Sequence, residues 1–422
     1  MKKNVRNIMR ITGKAIAAFC ITLSILIGLL YLTACIPNTA FRENLLVSAK
    51  YLEENEDEFY RIKEGDRRTE IHNYADAITF NIMYSIDGEG LWDELMMSPF
   101  YSDLKNEEYP MIRLLRERIE EEKSADTLYD RYWHGMMVLL RPLFCVFTIT
   151  QIRILLLVIL IGLLVILCVK LWQRGLRTFA IGLCVSAVLS GYPMAAMCIE
   201  YTPVWLIMLG SSLAALKYYQ KRDFAVVLAV ISGVCCAFFD FLTTETVAIV
   251  IPLAVIVLLK AKEGQLKNFL QEFTELFICG FAWGAAYILT LLTKWILSGL
   301  VLGQERISFA LSMLLHRQGA ESFFVDADRV MNSVEYQQNL VSAGTNEYSQ
   351  PLTAFLTNLR LFFGLSDSVS LDGMLTGVLL VIGVGGCFIY LFRKKGSEYI
   401  LPAILFLLGF VPHITQMTDY LH

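Results

Sequence analysis

Uncharged apolar runs of about 20 residues recur along this chain, and they narrow its fold more than any other feature. Such a run crosses about 30 Å of hydrocarbon as a helix, because lipid offers no partner to a free backbone N–H or C=O. Of the 422 residues 56% are hydrophobic and 18% charged, and the apolar ones are gathered into runs rather than spaced for a soluble core. The runs predict spans at 15–36, 154–172, 178–197, 204–216, 224–242, 247–259, 276–297, 374–392 and 399–410. Three of them (204–216, 247–259 and 399–410) hold only about 12 or 13 residues, so their ends must extend into polar sequence or the bilayer must thin.

Lys and Arg fix the expected orientation, since short basic connections stay on the cytoplasmic side. Lys2, Lys3, Arg6, Arg10 and Lys14 precede the first run. Basic residues then recur in every second connection: Arg174 and Arg177; Lys217, Lys221 and Arg222; Lys260, Lys262 and Lys267; Arg393, Lys394 and Lys395. The alternate connections carry Glu200 and Glu245 instead. The expected fold class is therefore all-α, a polytopic transmembrane helix bundle in a cell membrane. It has about nine spans, a cytoplasmic N-terminus, an outer C-terminus and two large, partly helical extracytoplasmic loops. Its expected parts are a first anchor (1–36), a loop with a membrane-surface segment (37–153), a transmembrane bundle (154–298), a second loop (299–373) and C-terminal helices (374–422).

A net charge of −4 without a basic stripe argues against nucleic acid as a partner. The ten cysteines lie in or beside the runs, and no metal-ligand spacing appears, so neither a disulfide framework nor a metal site is expected. Leu32, Thr33, Ala34 and Cys35 read like a lipoprotein box, but the run before them is long enough for a helix, and an uncleaved anchor is expected. Walker A and strand-linked GxGxxG sequences are missing, and no cofactor is expected.

Two stretches of the first loop place reactive groups beside apolar ones. In TEIHNYADAITFNIMYS (69–85), His72 and Asp76 would share a helix face, with Asp76 placed to act as a general base. A membrane-surface helix wetted by its polar residues is the alternative. In YDRYWHGMMVLLRPLFCVFTITQIR (129–153), Asp130 and His134 are further catalytic candidates. The broken apolar segment 134–147 is expected to lie on the outer membrane surface, with Tyr132 and Trp133 as interface anchors. Arg131 and Arg141 would then reach lipid phosphate bidentately, or simply snorkel. Met111 to Lys123 reads as a solvated charged helix. Asp240 and Glu245 sit at outer helix ends, with Lys294 as a partner for Asp240 or as a snorkelling cation. The second loop offers Arg306, His316, Arg317, Asp326, Asp328 and Arg329. The two aspartates lack the glycine and glutamate of a calcium loop.

This order of features resembles the GT-C superfamily of polytopic glycosyltransferases, in its protein mannosyltransferase and lipid A sugar-transferase branches. The resemblance covers roughly residues 15–216. It implies sugar transfer from a polyprenyl-phosphate donor to an extracytoplasmic acceptor, with membrane lipid as the setting. By it Asp76 matches the essential acid, His134 the histidine of the surface motif and Arg153 the arginine opening the second helix. Arg131, Arg141 or Arg317 would meet the carrier phosphate. Gly135 and Met136 stand where that family has prolines, and Asp76 lacks an acidic neighbour. YDRYWHG, FFDFLTT and KWILSGLVLGQ are also similar to a family of multipass membrane proteins from Firmicutes. A transporter or flippase and a noncatalytic envelope scaffold stay open as alternatives.

Overall fold

The computed structural model describes residues 2–62, 69–88, 90–103, 109–189, 191–239, 245–303 and 305–308, with 378 and 382 as single positions. The expectations for Asp240, His316, Arg317, Asp326, Asp328 and Arg329, and nearly all of the spans at 374–392 and 399–410, lie outside these residues. The chain divides into two compact units, 1–62 with 68–301 and 63–67 with 302–422, and the first holds almost every described residue.

Helix α1 (Lys2–Ala34) leads through a 3-10 turn at Asn38–Ala40 into a polar region. That region contains α2 (Arg42–Asn55), β1 (Phe59–Arg61), β2 (Glu70–His72), α3 (Asn73–Ser85), α4 (Leu91–Met97), β3 (Pro99–Phe100), α5 (Met111–Glu120), β4 (Thr127–Leu128) and α6 (Met137–Phe144). Apolar helices follow: α7 (Ile149–Gln173), α8 (Arg177–Leu189), the one-turn α9 (Met194–Met197), α10 (Thr202–Tyr218), α11 (Arg222–Phe239), α12 (Val247–Lys262) and α13 (Phe269–Leu302). The described fold is thus mostly helical. Two antiparallel pairs, β1 with β2 and β3 with β4, qualify the all-α expectation.

Among the described residues, three helices are long and apolar enough to cross a membrane, at Met9–Ala34, Ile149–Gln173 and Leu270–Leu302. Each leaves large apolar side chains open, among them Ile16, Ile25, Ile154, Val158, Phe281 and Leu300. In water such stripes would cost roughly 25 cal/mol per Å², whereas lipid covers them without penalty. The run at 178–197 is not one helix. It breaks at Gly191, whose φ of 66° suits glycine, and Pro193 follows. The short runs at 204–216 and 247–259 lengthen into flanking polar residues as α10 and α12.

Helix α10 packs on α7, α11 and α12, and α1 packs on α11. Gly233 of α11 stands against the Trp283 carbonyl of α13, where a Cβ would collide. At one end of the bundle the basic connections meet. Arg10 and Lys14 pair with Asp223 at 3.0 and 2.9 Å, and Lys262 Nζ donates to the Arg174 carbonyl at 2.5 Å. Lys260 bridges Glu272 and Glu275 at 3.3 and 3.1 Å. The polar region sits at the other end, bonded to the start of α7, the 198–201 connection and the far ends of α11 and α13.

Candidate functional site

Three elements distant in sequence converge where α3 begins. Asn73 and Asp76, three apart, share one face of its first turn. Glu56 closes the C-terminus of α2, and Arg153 lies in the first turns of α7. That helix starts cleanly because Thr148 and Gln151 form a capping box, and the Ile149 N–H donates to Ser48 Oγ at 2.9 Å.

Arg153 binds all three partners. Its Nη1 donates to Glu56 Oε2 at 3.1 Å, and its Nη2 donates to Asn73 Oδ1 at 2.6 Å and Asp76 Oδ2 at 3.2 Å. The Asn73 amide donates to Glu56 Oε2 at 2.9 Å and the Asp57 carbonyl at 2.8 Å. The other Asp76 oxygen, Oδ1, accepts the Ile199 N–H at 3.1 Å. Asp76 is only 1% exposed. Two carboxylates therefore share one guanidinium. Burial pushes the Asp76 carboxyl up to about 6, with added repulsion from Glu56, while Arg153 and the Ile199 N–H pull the other way.

His72 does not share a helix face with Asp76, because the helix begins one residue after it. It ends β2, half-buried, with Nε2 at 3.6 Å from Glu70 Oε1 and Nδ1 at 3.5 Å from Glu200 Oε1. Phe59 and Tyr201 present ring edges to it at 5.6 and 6.0 Å. Its N–H approaches Cys198 Sγ at 3.5 Å, and burial pushes that thiol up. Cys198 and Ile199 are consecutive, so one connection touches both His72 and Asp76.

The YDRYWHG segment forms a second group, seated on α11 and α13. Trp133 is fully buried, stacks on Phe238 at 5.3 Å and donates from Nε1 to the Thr290 carbonyl at 2.9 Å. Trp295 Nε1 donates to the Arg131 carbonyl at 2.9 Å. The Gly135 N–H donates to the Phe238 carbonyl at 3.1 Å, and no Cβ would fit there. Tyr132 and Trp133, expected as interface anchors, are packed inside protein instead. Asp130 and Arg131 are buried beside them, the Arg131 guanidinium lying over Tyr129 at 4.9 Å. His134 takes a left-handed φ of 51°, and its Nε2 meets the Tyr129 carbonyl at 2.8 Å. Burial pulls its pKa down to about 3, which keeps the ring neutral. Among the described contacts, the backbone carbonyls of Asp130 and Arg131 meet α13 and the His134 ring meets Tyr129 and Tyr132, whereas Asp76 meets Arg153 of α7 and the 198–201 connection.

Two cations depart from their expected places. Arg141 turns its guanidinium into the protein rather than outward to a lipid phosphate. It is 1% exposed and donates to the carbonyls of Ile36 (2.7 Å), Met83 (3.1 Å) and Ile86 (2.8 Å) and to Asn38 Oδ1 (3.0 Å). Five guanidinium donors suit such a ring of carbonyls, and this one ties α1, α3 and α6 together. Lys294 does not snorkel. Its Nζ donates to the carbonyls of Leu95 at 2.7 Å and Met96 at 3.1 Å, closing the end of α4.

Compared with protein-family models, curated proteins and solved structures, the chain matches none of them.

Sequence reasoning missed Glu56, Asn73, Glu70 and Cys198 as parts of the site. Glu56 lies in an acidic, mixed stretch, and only its place at a helix end distinguishes it. Two cavities, of about 30 and 550 Å³, lie at the basic end of the bundle, and Asp76 lines neither.

Proposed function

We propose that the chain is a multipass membrane glycosyltransferase, moving a sugar from a polyprenyl-phosphate carrier to an extracytoplasmic acceptor. Its N-terminus is cytoplasmic and its spans number about nine. Support for the orientation comes from the two ends of the bundle: the basic connections gather at one, and the polar region carrying Asp76 stands at the other.

The observation that carries the reading is the surplus acid on Arg153. A structural ion pair needs one carboxylate; here a second one shares the buried guanidinium, and burial, with a smaller push from Glu56, leaves Asp76 able to exchange a proton near neutral pH. In this reading the ionised Asp76 takes the proton of an acceptor hydroxyl. The acceptor oxygen bonds to the anomeric carbon as the bond to the carrier phosphate breaks, and the phosphate leaves with the electron pair. Arg131 is the cation assigned to that phosphate. In this reading the acceptor hydroxyl takes the place that the Ile199 N–H holds on Asp76 Oδ1.

The test is transfer of radiolabelled sugar from polyprenyl-phosphate donors by membranes containing the wild type or Asp76→Asn. Transfer by the wild type alone is the expected result. Equal transfer by both forms removes Asp76 from the chemistry.

The closed state of Asp76, with both oxygens bonded, favours a second reading as a noncatalytic envelope scaffold. A wild type without transfer across a donor and acceptor panel moves the function to that reading.

A further inference from the structure

The larger cavity lies at the basic end of the bundle, between the third and fourth turns of α1 and the start of α11. It is an open groove of about 550 Å³, and its lining is Arg10, Lys14, Lys221, Asp223, Phe224 and Val227. Asp223 pairs with both Arg10 and Lys14 at 3.0 and 2.9 Å, so one carboxylate faces three cations and the lining keeps a surplus of positive charge. Lys221 stands at the α10–α11 connection, with its Nζ 5.8 Å from the Tyr218 ring centroid. Phe224 and Val227 are apolar and lie one and two turns further into the helix.

From this gradient we propose that the cavity is a binding site for an anionic phospholipid of the leaflet at that end. The phosphate sits among Arg10, Lys14 and Lys221, and the first acyl carbons lie on Phe224 and Val227. The inference rests on the membrane placement of the bundle and is independent of the sugar-transfer reading. Three features argue for it together. Lys14 is the last charge before the apolar stretch of α1, so the cations stand at headgroup depth. A guanidinium beside two ammonium groups provides directed and undirected donors for a phosphate. A free phosphate would leave the apolar floor uncovered, whereas a lipid covers both parts.

The experiment uses the full chain purified in a neutral detergent and measures phosphatidylglycerol retained in native mass spectra, with phosphatidylcholine as the neutral comparison. The wild type is expected to retain phosphatidylglycerol at least tenfold better than phosphatidylcholine. Arg10→Gln with Lys221→Gln is expected to abolish that preference, and Arg10→Lys with Lys221→Arg to keep it. Inorganic phosphate at matched concentration is expected to displace little of the lipid. The assignment is overturned by equal retention of the two lipids, by full retention in the glutamine variant, by loss in the charge-conserving variant, or by displacement with inorganic phosphate, which would mark a site for free anions.

Discussion

Arg153 on α7 donates to Asp76 on α3 at 3.2 Å while holding Glu56 with its other terminal nitrogen. One guanidinium thus faces two carboxylates, and that imbalance is measurable.

The Asp76 carboxyl is raised to about 6 from an ordinary value near 4. An acid raised on folding binds its proton more tightly in the native state, so this contribution is fully present below the unfolded value and is lost as pH rises through about 6. Thermal unfolding in detergent should therefore show a stability decrease between pH 4 and 6.5 that Asp76→Asn lacks. The difference between the two proteins is on the order of 3 kcal/mol. Parallel pH profiles for both proteins would remove the shift from Asp76. If Asp76 is also the general base, transfer activity rises over the same interval as stability declines.

Lys294→Met should lower the unfolding midpoint markedly, because the Leu95 and Met96 carbonyls then lose their donor inside the protein. The loss is roughly 2–4 kcal/mol for bonds of this kind. A midpoint within error of wild type would mean that α4 ends without help from α13.

Arg141→Lys preserves charge and should still destabilise. An ammonium has three donors and no fork, and it cannot serve the carbonyls of Ile36, Met83 and Ile86 together with Asn38. The expected cost is about 2–3 kcal/mol by denaturant titration. A cost no greater than that of an exposed Arg-to-Lys change would contradict the carbonyl ring.

Gly135→Ala places a methyl against both the ring and the carbonyl oxygen of Phe238. Overpacking of this kind costs about 1–3 kcal/mol. Since backbone blocks the methyl as well as the ring, adding Phe238→Leu should restore little. Full recovery in that double variant would show that the ring alone sets the approach.

How much of this was legible in the sequence depends on whether the signal was local. The apolar runs of α1, α7 and α13 declare themselves within about 20 residues, since lipid burial is a property of composition. The bases at Lys14, Arg174, Lys221 and Lys262 likewise marked the end at which those connections meet. Partnerships across the chain left no such trace. Arg153 reaches Asp76 across 77 positions, and Lys294 reaches Leu95 across 199. Lys294 read as a snorkelling cation because its own neighbours are apolar, and only the fold brings the α4 carbonyls to it. His72 was misplaced for a smaller reason. The strand pairing that sets Phe59 opposite it ends the extended backbone one residue before α3, and three-residue strands carry too little alternation to be read.

Helix α13 runs 34 residues without interruption, which makes a rod of roughly 51 Å against about 30 Å of hydrocarbon. Its first turns are moored to Lys260 through Glu272 and Glu275, and its last turns carry the YDRYWHG segment through Lys294, Trp295 and Ser298. In the proposed placement the surplus length becomes a pier. The height at which the polar region stands above the lipid is then set by a protein ruler, and membranes of different thickness would meet it at the same elevation.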